Sequence, residues 1–600
     1  MFDNQLEHAA NLILQQAADM GLPQPDRIEW NPTPFRGEWG FGTAACFKIA
    51  AAEARSGKSI NIPQRANELA QEIVAAATPF PDFSHAEAEN GYINLYLDPP
   101  TYARTVIDTA LQQGQSFGKG SPKPERVMVE YAQPNTHHSF HIGHARNAIL
   151  GEALARITEF AGFETIRASY PGDVGLGVIK CLWIYDKFYK GQEPEGIHAR
   201  GQWLAKLYTE ANQILAADPE ETEQEAAQRE EYNEEVRQLY KAWDQGDPEI
   251  VKLWERTRAW SLEELNAILE LLNVDIDVFF YESEVDEPAK EIVEELIELG
   301  IAEDERSEGG PVIVKIDEQL GLEKEKYRTA VLLRSDGTTL YLAKDLALAK
   351  QKFEEYQVER SIYVVDVRQS LHLQQAFKIL ELWGFPQAEK CYHLAYGFVS
   401  LPEGAMSSRA GNVVLFMDVV EESRKRVNQI ILEKNPDLAE AERLEVSNQV
   451  AMGSLAYAML AVDNVRDTVF DWDRALDFEG QAAPYIQYAH VRATSILKRQ
   501  ETMPGPLSPD YELEEPEIAL LDRISRFPDE VQRGAKEYKP LVIANYAYEL
   551  AKDFTNFYQQ CPVLSAEPPI RDVRLRLTEA ARQTLENSLR LLTVPSPDVM

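Results

Sequence analysis

Two short stretches of this chain hold residue types able to handle a polyphosphate. The first is His141-Ile142-Gly143-His144. It follows a β-rich run, RVMVEYA at 126–132, and precedes a helical pattern, ILGEALARITEFAG at 149–162. At a strand-to-helix turn the first helical N–H groups are unpaired and the dipole end is positive, so an anion is favoured there. Gly143 has no Cβ, which lets a flat adenine or a ribose approach the backbone. Two histidines three apart can hydrogen-bond phosphate oxygens and stabilise charge as pyrophosphate leaves. As four letters alone the string fits helix-capping or solvent-facing histidines. Its place at the turn favours the chemical reading. The second stretch is Met406-Ser407-Ser408-Arg409-Ala410-Gly411-Asn412-Val413. Small polar residues with one cation suit an arm that closes over a triphosphate, although a plain surface loop has the same composition.

The elements that must position these residues can be read from periodicity. The helix at 149–162 places Leu150, Leu154, Ile157 and Ala161 on one face and stops at Gly162, and FETIRASY (163–170) reads as the next strand. A strand–helix–strand start predicts an α/β domain with a doubly wound parallel sheet of Rossmann type. Strand-like runs return at 312–316, 330–333 and 361–366. Six hundred residues exceed one core, and roughly three domains are expected. Residues 1–115 read as a small α+β domain with helices at 5–20 and 64–77, ending in the strand-like GYINLYL (91–97). A Gly-, Ser-, Pro- and Lys-rich linker covers 114–125. The α/β domain is expected over 120–435, with a mostly helical, acidic insertion at about 186–310. An all-α bundle is expected over 440–600, with Pro504, Pro506 and Pro509 marking a loop.

Composition sets limits. With 44% apolar and 26% charged residues the chain is neither collagen-like, disordered nor a disulfide scaffold. No run of about 18 apolar residues is present, and the N-terminus, MFDNQLEHAA, lacks the basic region of a signal peptide. The expectation is a cytoplasmic protein without a membrane partner. Cys46, Cys181, Cys391 and Cys561 form no CxxC pair, so buried free thiols are expected, with no zinc site and no other protein-held metal. The net charge of −38 argues against nucleic acid only for the chain as a whole, because binding depends on local patches. Much of the acid lies in one run, Asp218 to Glu235, which reads as a solvated helix face.

In order and context the two stretches resemble the HIGH and KMSKS signatures of class I aminoacyl-tRNA synthetases. More narrowly, VEYAQPNTHHSFHIGHARNAILGEALARI (129–157), DGTTLYLAKDLAL (336–348), QSLHLQQAFKIL (369–380) and MSSRAGNVV (406–414) resemble segments of the arginyl-tRNA synthetases. The blocks at 470–497 and 544–564 resemble that family's helical anticodon-binding domain, and GYIN (91–94) the end of its extra N-terminal domain.

The resemblance implies an ATP- and Mg2+-dependent ligation of L-arginine to its tRNA through an arginyl-adenylate. It also implies tRNA bound before activation, no editing domain, and no DNA partner; a monomer is expected. His141, Gly143, His144, Met406, Ser407, Ser408 and Arg409 would bind ATP. An arginine site needs carboxylates for a planar guanidinium and gains from an aromatic hydroxyl or face. By the resemblance Glu130, Tyr341 and Asp345 would hold the guanidinium, and Asn135 and Gln369 the α-amino and carboxylate ends. Tyr341 and Asp345 are four apart, so a helix turns both the same way. Tyr485, Tyr488, His490 and Arg492, then Lys498 and Arg499, and a cluster of Arg571, Arg574 and Arg576 are candidates for tRNA stacking and phosphate contact. The N-terminal domain would contact the tRNA elbow.

Three departures from the pattern matter. The family's GDWG turn reads Gly172-Asp173-Val174-Gly175 here, without tryptophan. The usual second-motif lysine falls at Ser408, and the lysine that many arginyl enzymes carry before the first motif falls at His138. Arg409, and His138 if protonated, could replace those cations in catalysis. Three other readings stay open: a class I synthetase for another amino acid, an adenylate-forming paralogue, and a tRNA-binding protein without catalysis.

Overall fold

Val127, Met128 and Val129 present apolar side chains to both faces of a strand, and all three are fully buried in Arg126–Glu130 (β1). Two-sided burial calls for a covered, parallel sheet. In the computed structural model, which describes residues 1–55, 60–400, 415–500 and 512–600, β1 is the middle strand of five. Helix Ile142–Phe160 (α1) leads to Glu164–Ser169 (β2). Helices Leu176–Ile184 (α2), Ile197–Leu215 (α3), Glu223–Asp244 (α4) and Pro248–Leu271 (α5) precede the short strand Val278–Phe279 (β3). Tyr341–Glu354 (α6) leads into Arg360–Asp366 (β4), and Ser370–Trp383 (α7) into Cys391–Tyr396 (β5). The sheet order is β5-β4-β1-β2-β3 and every pairing is parallel. This is the doubly wound sheet expected from the sequence. Its switch point lies between β1 and β4, where such sheets open a crevice at the carboxyl ends of the strands.

α1 is buried on nearly every side and lies against Tyr131. Gly151 permits that contact, because a Cβ there would come within 2.2 Å of the Tyr131 ring. Asn147 of α1 clamps the switch point. Its Oδ1 accepts from the Ala132 N–H at 2.5 Å, and its Nδ2 donates to the Val364 carbonyl at 2.7 Å.

Several elements differ from the sequence reading. The strands at 312–315 and 329–333 join 303–304 in a separate antiparallel sheet, not the parallel one. β3 falls inside the stretch expected as a helical insertion, because two residues are too few to show a strand period. The acidic run does form a solvated helix: Thr222 and Glu225 build a capping box, and only Val236 of α4 is buried. Among the described cysteines, Cys46, Cys181 and Cys561 are buried and Cys391 is half-buried.

The chain divides into two compact units. The sheet belongs to the unit of Gly118–Val491, 529–548 and 588–600. The other unit joins Met1–Phe117 to Arg492–Pro528 and Glu549–Asn587. It holds a four-stranded antiparallel sheet (31–32, 39–43, 92–97, 85–89) and its own apolar core around Ile13, Ile49, Leu69, Ile73 and Leu95. Within it Arg576 pairs with Asp108 at 2.5 Å, and Asn587 donates to the Gly114 and Phe117 carbonyls. Pro504, Pro506 and Pro509 lie outside the described residues. No described helix is long and apolar enough to cross a membrane.

Candidate active site

The first motif is a reciprocal cap. His141 Nδ1 accepts from the N–H groups of Gly143 (3.1 Å) and His144 (3.3 Å), and His144 Nδ1 accepts from the His141 N–H at 3.3 Å. The two rings stack with centroids 3.6 Å apart. An accepting Nδ1 puts the proton of a neutral ring on Nε2. Burial pushes His141 down to about 4, and burial with the neighbouring His141 holds His144 well below the usual imidazole value. Both are therefore neutral rings with Nε2–H unused by the cap. This corrects one expectation: the N–H groups of Gly143 and His144 are engaged by His141 and are not free for an anion. Capping and phosphate donation are compatible, since they use opposite sides of the ring.

His138 packs its ring on Tyr208, with centroids 4.1 Å apart. It lines a cleft with Asn135, Phe140, Ser261 and Glu264, and burial lowers its pKa. Burial thus works against the protonated form expected for a cation. Met406, Ser407, Ser408 and Arg409 lie outside the described residues.

Three of the amino-acid candidates lie at or beyond the carboxyl ends of parallel strands, Glu130 and Asn135 at β1 and Gln369 at β4, while Tyr341 and Asp345 lie on α6. Glu130 ends β1 and is buried, with Lys352 Nζ of α6 at 2.5 Å from its Oε2. Asp345, also of α6, holds His372 of α7 at 2.5 Å. Tyr341 opens α6 one turn earlier and is exposed. Gln369 ends the turn after β4 and is exposed. Asn135 meets the Gly172 turn, where the Thr136 N–H donates to the Gly172 carbonyl at 2.8 Å. A Cβ on Gly172 would lie 2.5 Å from Asn135 Oδ1 and 3.1 Å from Glu282 Oε2. Gly172 thus lets an amide and a carboxylate converge. Glu282 Oε1 is held by Lys344 at 2.9 Å. Just past β2, the Tyr170 phenol is raised by burial and then by the charges of Asp345, Glu282, Glu130 and Asp173. Asp173 is no plain turn residue. It is fully buried, pairs with Arg258 at 2.8 Å and accepts from the Ser283 N–H (2.9 Å) and Oγ (2.7 Å), which fixes the neighbouring Glu282. Among the described residues no group of three or more His, Cys, Asp or Glu side chains could hold a metal ion.

The tRNA candidates separate. On the helix Ala483–Leu497, Tyr488 is exposed, Tyr485 packs on Tyr548 (5.6 Å), and His490 is buried against the Pro597 carbonyl at 3.1 Å. Arg492 lies over the Tyr558 ring at 4.8 Å. Arg571 is half-buried beside Asp572. Arg574 must be withdrawn as a phosphate contact. It is buried, and its fork is taken by Glu517 (2.7 Å), Glu514 (2.5 Å) and the Pro562 carbonyl (2.9 Å).

Residues 106–472 match the catalytic-domain family of class I tRNA synthetases (R), and residues 486–600 match the DALR anticodon binding domain. The arginine–tRNA ligase of Bdellovibrio bacteriovorus is 36% identical over 568 residues, covering 94% of this chain and 92% of that one. The chain belongs to the arginine–tRNA ligase family of class I synthetases. The Clostridioides difficile ligase is 32% identical over 98% of this chain and 99% of its own. The Thermus thermophilus arginyl-tRNA synthetase structure superposes with a TM-score of 0.79 at 27% identity, covering 99% of both chains.

Two features of this synthetase escaped sequence reading. One is the resident base on each acid: Lys352, Lys344 and His372. The other is Arg146 in α1, which is fully buried and donates to four carbonyls, those of Gly397, Phe398, Asn464 and Arg466, at 2.8–3.1 Å. A signal for Arg146 did exist. Arg146 shares its helix face with Ile142, Ile149, Leu150 and Ala153, and an arginine on an apolar face needs internal acceptors.

Proposed function

We propose that this synthetase joins L-arginine to the 3′ end of its cognate tRNA in two steps. The arginine carboxylate attacks the α-phosphate of ATP, giving arginyl-adenylate and releasing pyrophosphate. The terminal ribose hydroxyl of the tRNA then takes the arginyl group and AMP leaves. The observation that carries the amino-acid assignment is that α6, which itself carries Asp345, holds Glu130 through Lys352 and Glu282 through Lys344, so one helix brings together three acids suited to a substrate with two cations. Asp345, Glu130 and Tyr341 are assigned to the guanidinium, and Asn135 and Gln369 to the α-amino and carboxylate groups. His141 and His144 serve as neutral Nε2–H donors to the triphosphate, an oriented stabilisation of developing charge. No covalent enzyme intermediate is required. Magnesium comes with ATP, bound by phosphate oxygens. Arg409 supplies the cation that a lysine at Ser408 would have given.

We assign residues 1–115 and 440–600 to tRNA contact and 120–435 to catalysis, in a cytoplasmic monomer. Tyr485, Tyr488, Arg492 and Arg571 remain candidates for the tRNA surface. The test is aminoacylation of total tRNA with each of the twenty amino acids in turn. Charging by arginine alone is expected. Charging by another amino acid, or by none, overturns the assignment.

A further inference from the structure

Each of the three acids that α6 carries or holds already has a resident base: Lys352 on Glu130, Lys344 on Glu282 and His372 on Asp345. These bases are not equivalent. A lysine keeps its proton far above neutral pH, whereas imidazole changes charge between about pH 5 and 8. The lysine pairs are also more enclosed. The side chains of Lys352 and Lys344 are 0% and 10% exposed, while those of His372 and Asp345 are 27% and 25% exposed.

We propose that His372 is a positioning residue for Asp345, and that the proton on His372 and the guanidinium of arginine compete for that one carboxylate. The geometry carries it: His372 Nε2 lies 2.5 Å from Asp345 Oδ2. With a neutral ring, Nε2–H donates one hydrogen bond that fixes the carboxylate, and its full negative charge faces the substrate through Oδ1. With a charged ring the pair is already neutral, and the guanidinium would be a second cation on one acid. Arginine binding then releases the ring proton to solvent, and no bond to carbon changes.

The groups facing this pair are Glu130 on β1, Tyr363 on β4, Glu282 before α6 and Tyr170 after β2, each of which feels the charge of Asp345. The charges nearest them are Lys352 and Lys344, both on α6. Burial pulls His372 down, but the hydrogen bond and charge of Asp345 outweigh it and leave the ring above its usual value. Bound arginine removes that support. The free protein therefore holds more protons than the complex, and arginine affinity rises with pH until the ring is neutral. The limit for one proton is about tenfold per pH unit.

The inference rests on the reading of Asp345 as the guanidinium partner, so the experiment separates the two. L-Arginine is titrated calorimetrically into the full chain at about pH 6.5 and about pH 8.5, spanning the imidazole range, in buffers of different protonation enthalpy. For the unaltered protein, proton release approaching one per arginine is expected at the lower pH and none at the higher. In His372→Gln, which can still donate to Asp345, the release disappears and the dissociation constant becomes nearly independent of pH. Glu130 and Glu282 are unchanged in that variant, so a release that persists does not come from His372 and overturns the proposal. Equal heats across the buffers at the lower pH for the unaltered protein also overturn it, without reference to any variant. Asp345→Asn tests the underlying reading. Unchanged arginine affinity there overturns both, whereas lost affinity together with no proton release in the unaltered protein overturns only the role of His372.

Discussion

Replacing Lys352 with Met isolates what the pair with Glu130 contributes. Lys352 is 0% exposed and Glu130 4% exposed, so the variant keeps most of the packing and strands a buried carboxylate. That carboxylate has two outcomes. It can stay ionised without a partner, which costs roughly 3–5 kcal/mol. It can instead take a proton, which costs about 1.4 kcal/mol for every pH unit above the ordinary glutamate value. The second route costs about 4 kcal/mol at about pH 7.5 and about 1.5 kcal/mol at about pH 5.5. The cheaper route wins at each pH. The expected loss of stability is therefore about 3–4 kcal/mol near pH 7.5 and about 1.5 kcal/mol near pH 5.5. The sign follows from linkage. Burial already holds the folded-state pKa of Glu130 above the unfolded value, and loss of Lys352 raises it further, so the folded variant holds the extra proton over a wider range and loses more stability than the unaltered protein as pH rises. Urea unfolding followed by tryptophan fluorescence at the two pH values measures the difference from the unaltered protein. Lys352→Met combined with Glu130→Gln should recover most of the loss, because no charge is then stranded. A loss that is equal at both pH values, or that the second substitution does not recover, would refute the reasoning. The arginine KM of the double variant then shows how far the Glu130 carboxylate is needed for substrate.

Asp345→Ala should raise the arginine KM about 100- to 1,000-fold and leave the ATP KM nearly unchanged, as expected for losing a partner worth roughly 3–4 kcal/mol to a guanidinium; steady-state charging kinetics measure both. His141→Asn can still accept from the backbone at the start of α1, so it should keep thermal stability while lowering kcat of pyrophosphate exchange about 100-fold; His141→Ala should lose a further ~1 kcal/mol of stability. Arg574→Gln should destabilise the chain by about 3 kcal/mol in urea, because the buried Glu517 loses the Arg574 guanidinium, while the salt dependence of tRNA binding changes by less than about one phosphate contact. Arg409→Ala should lower the pyrophosphate-exchange kcat by about 100-fold or more, with full activity excluding Arg409 as the replacement cation.

The parts of the site that were legible in the sequence are those that local pattern specifies. His141 could be placed at a strand-to-helix turn because β1 and α1 carry unambiguous apolar periods on either side of it, and the parallel sheet followed from the same two elements. β3 was not legible, since two residues show no period and their pairing with β2 is fixed by the tertiary fold. The site residues divide along the same line. Asp345 and Tyr341 share a helix face, which a spacing of four specifies. The bases that set the charge of the site do not: Lys352 lies 222 residues from Glu130, and Lys344 lies 62 residues from Glu282. A lysine on an amphipathic helix reads as solvent-facing unless its partner is known, and the same reasoning misread Arg574 as a phosphate contact. Net charge misleads for a related reason. An acidic sum of −38 says nothing about a pocket in which each carboxylate has its own counter-ion. What the substrate meets there is set by how firmly each counter-ion is held. Two of the three are enclosed lysines and the third is the part-exposed imidazole of His372, so the pair that can respond to arginine is Asp345 with His372.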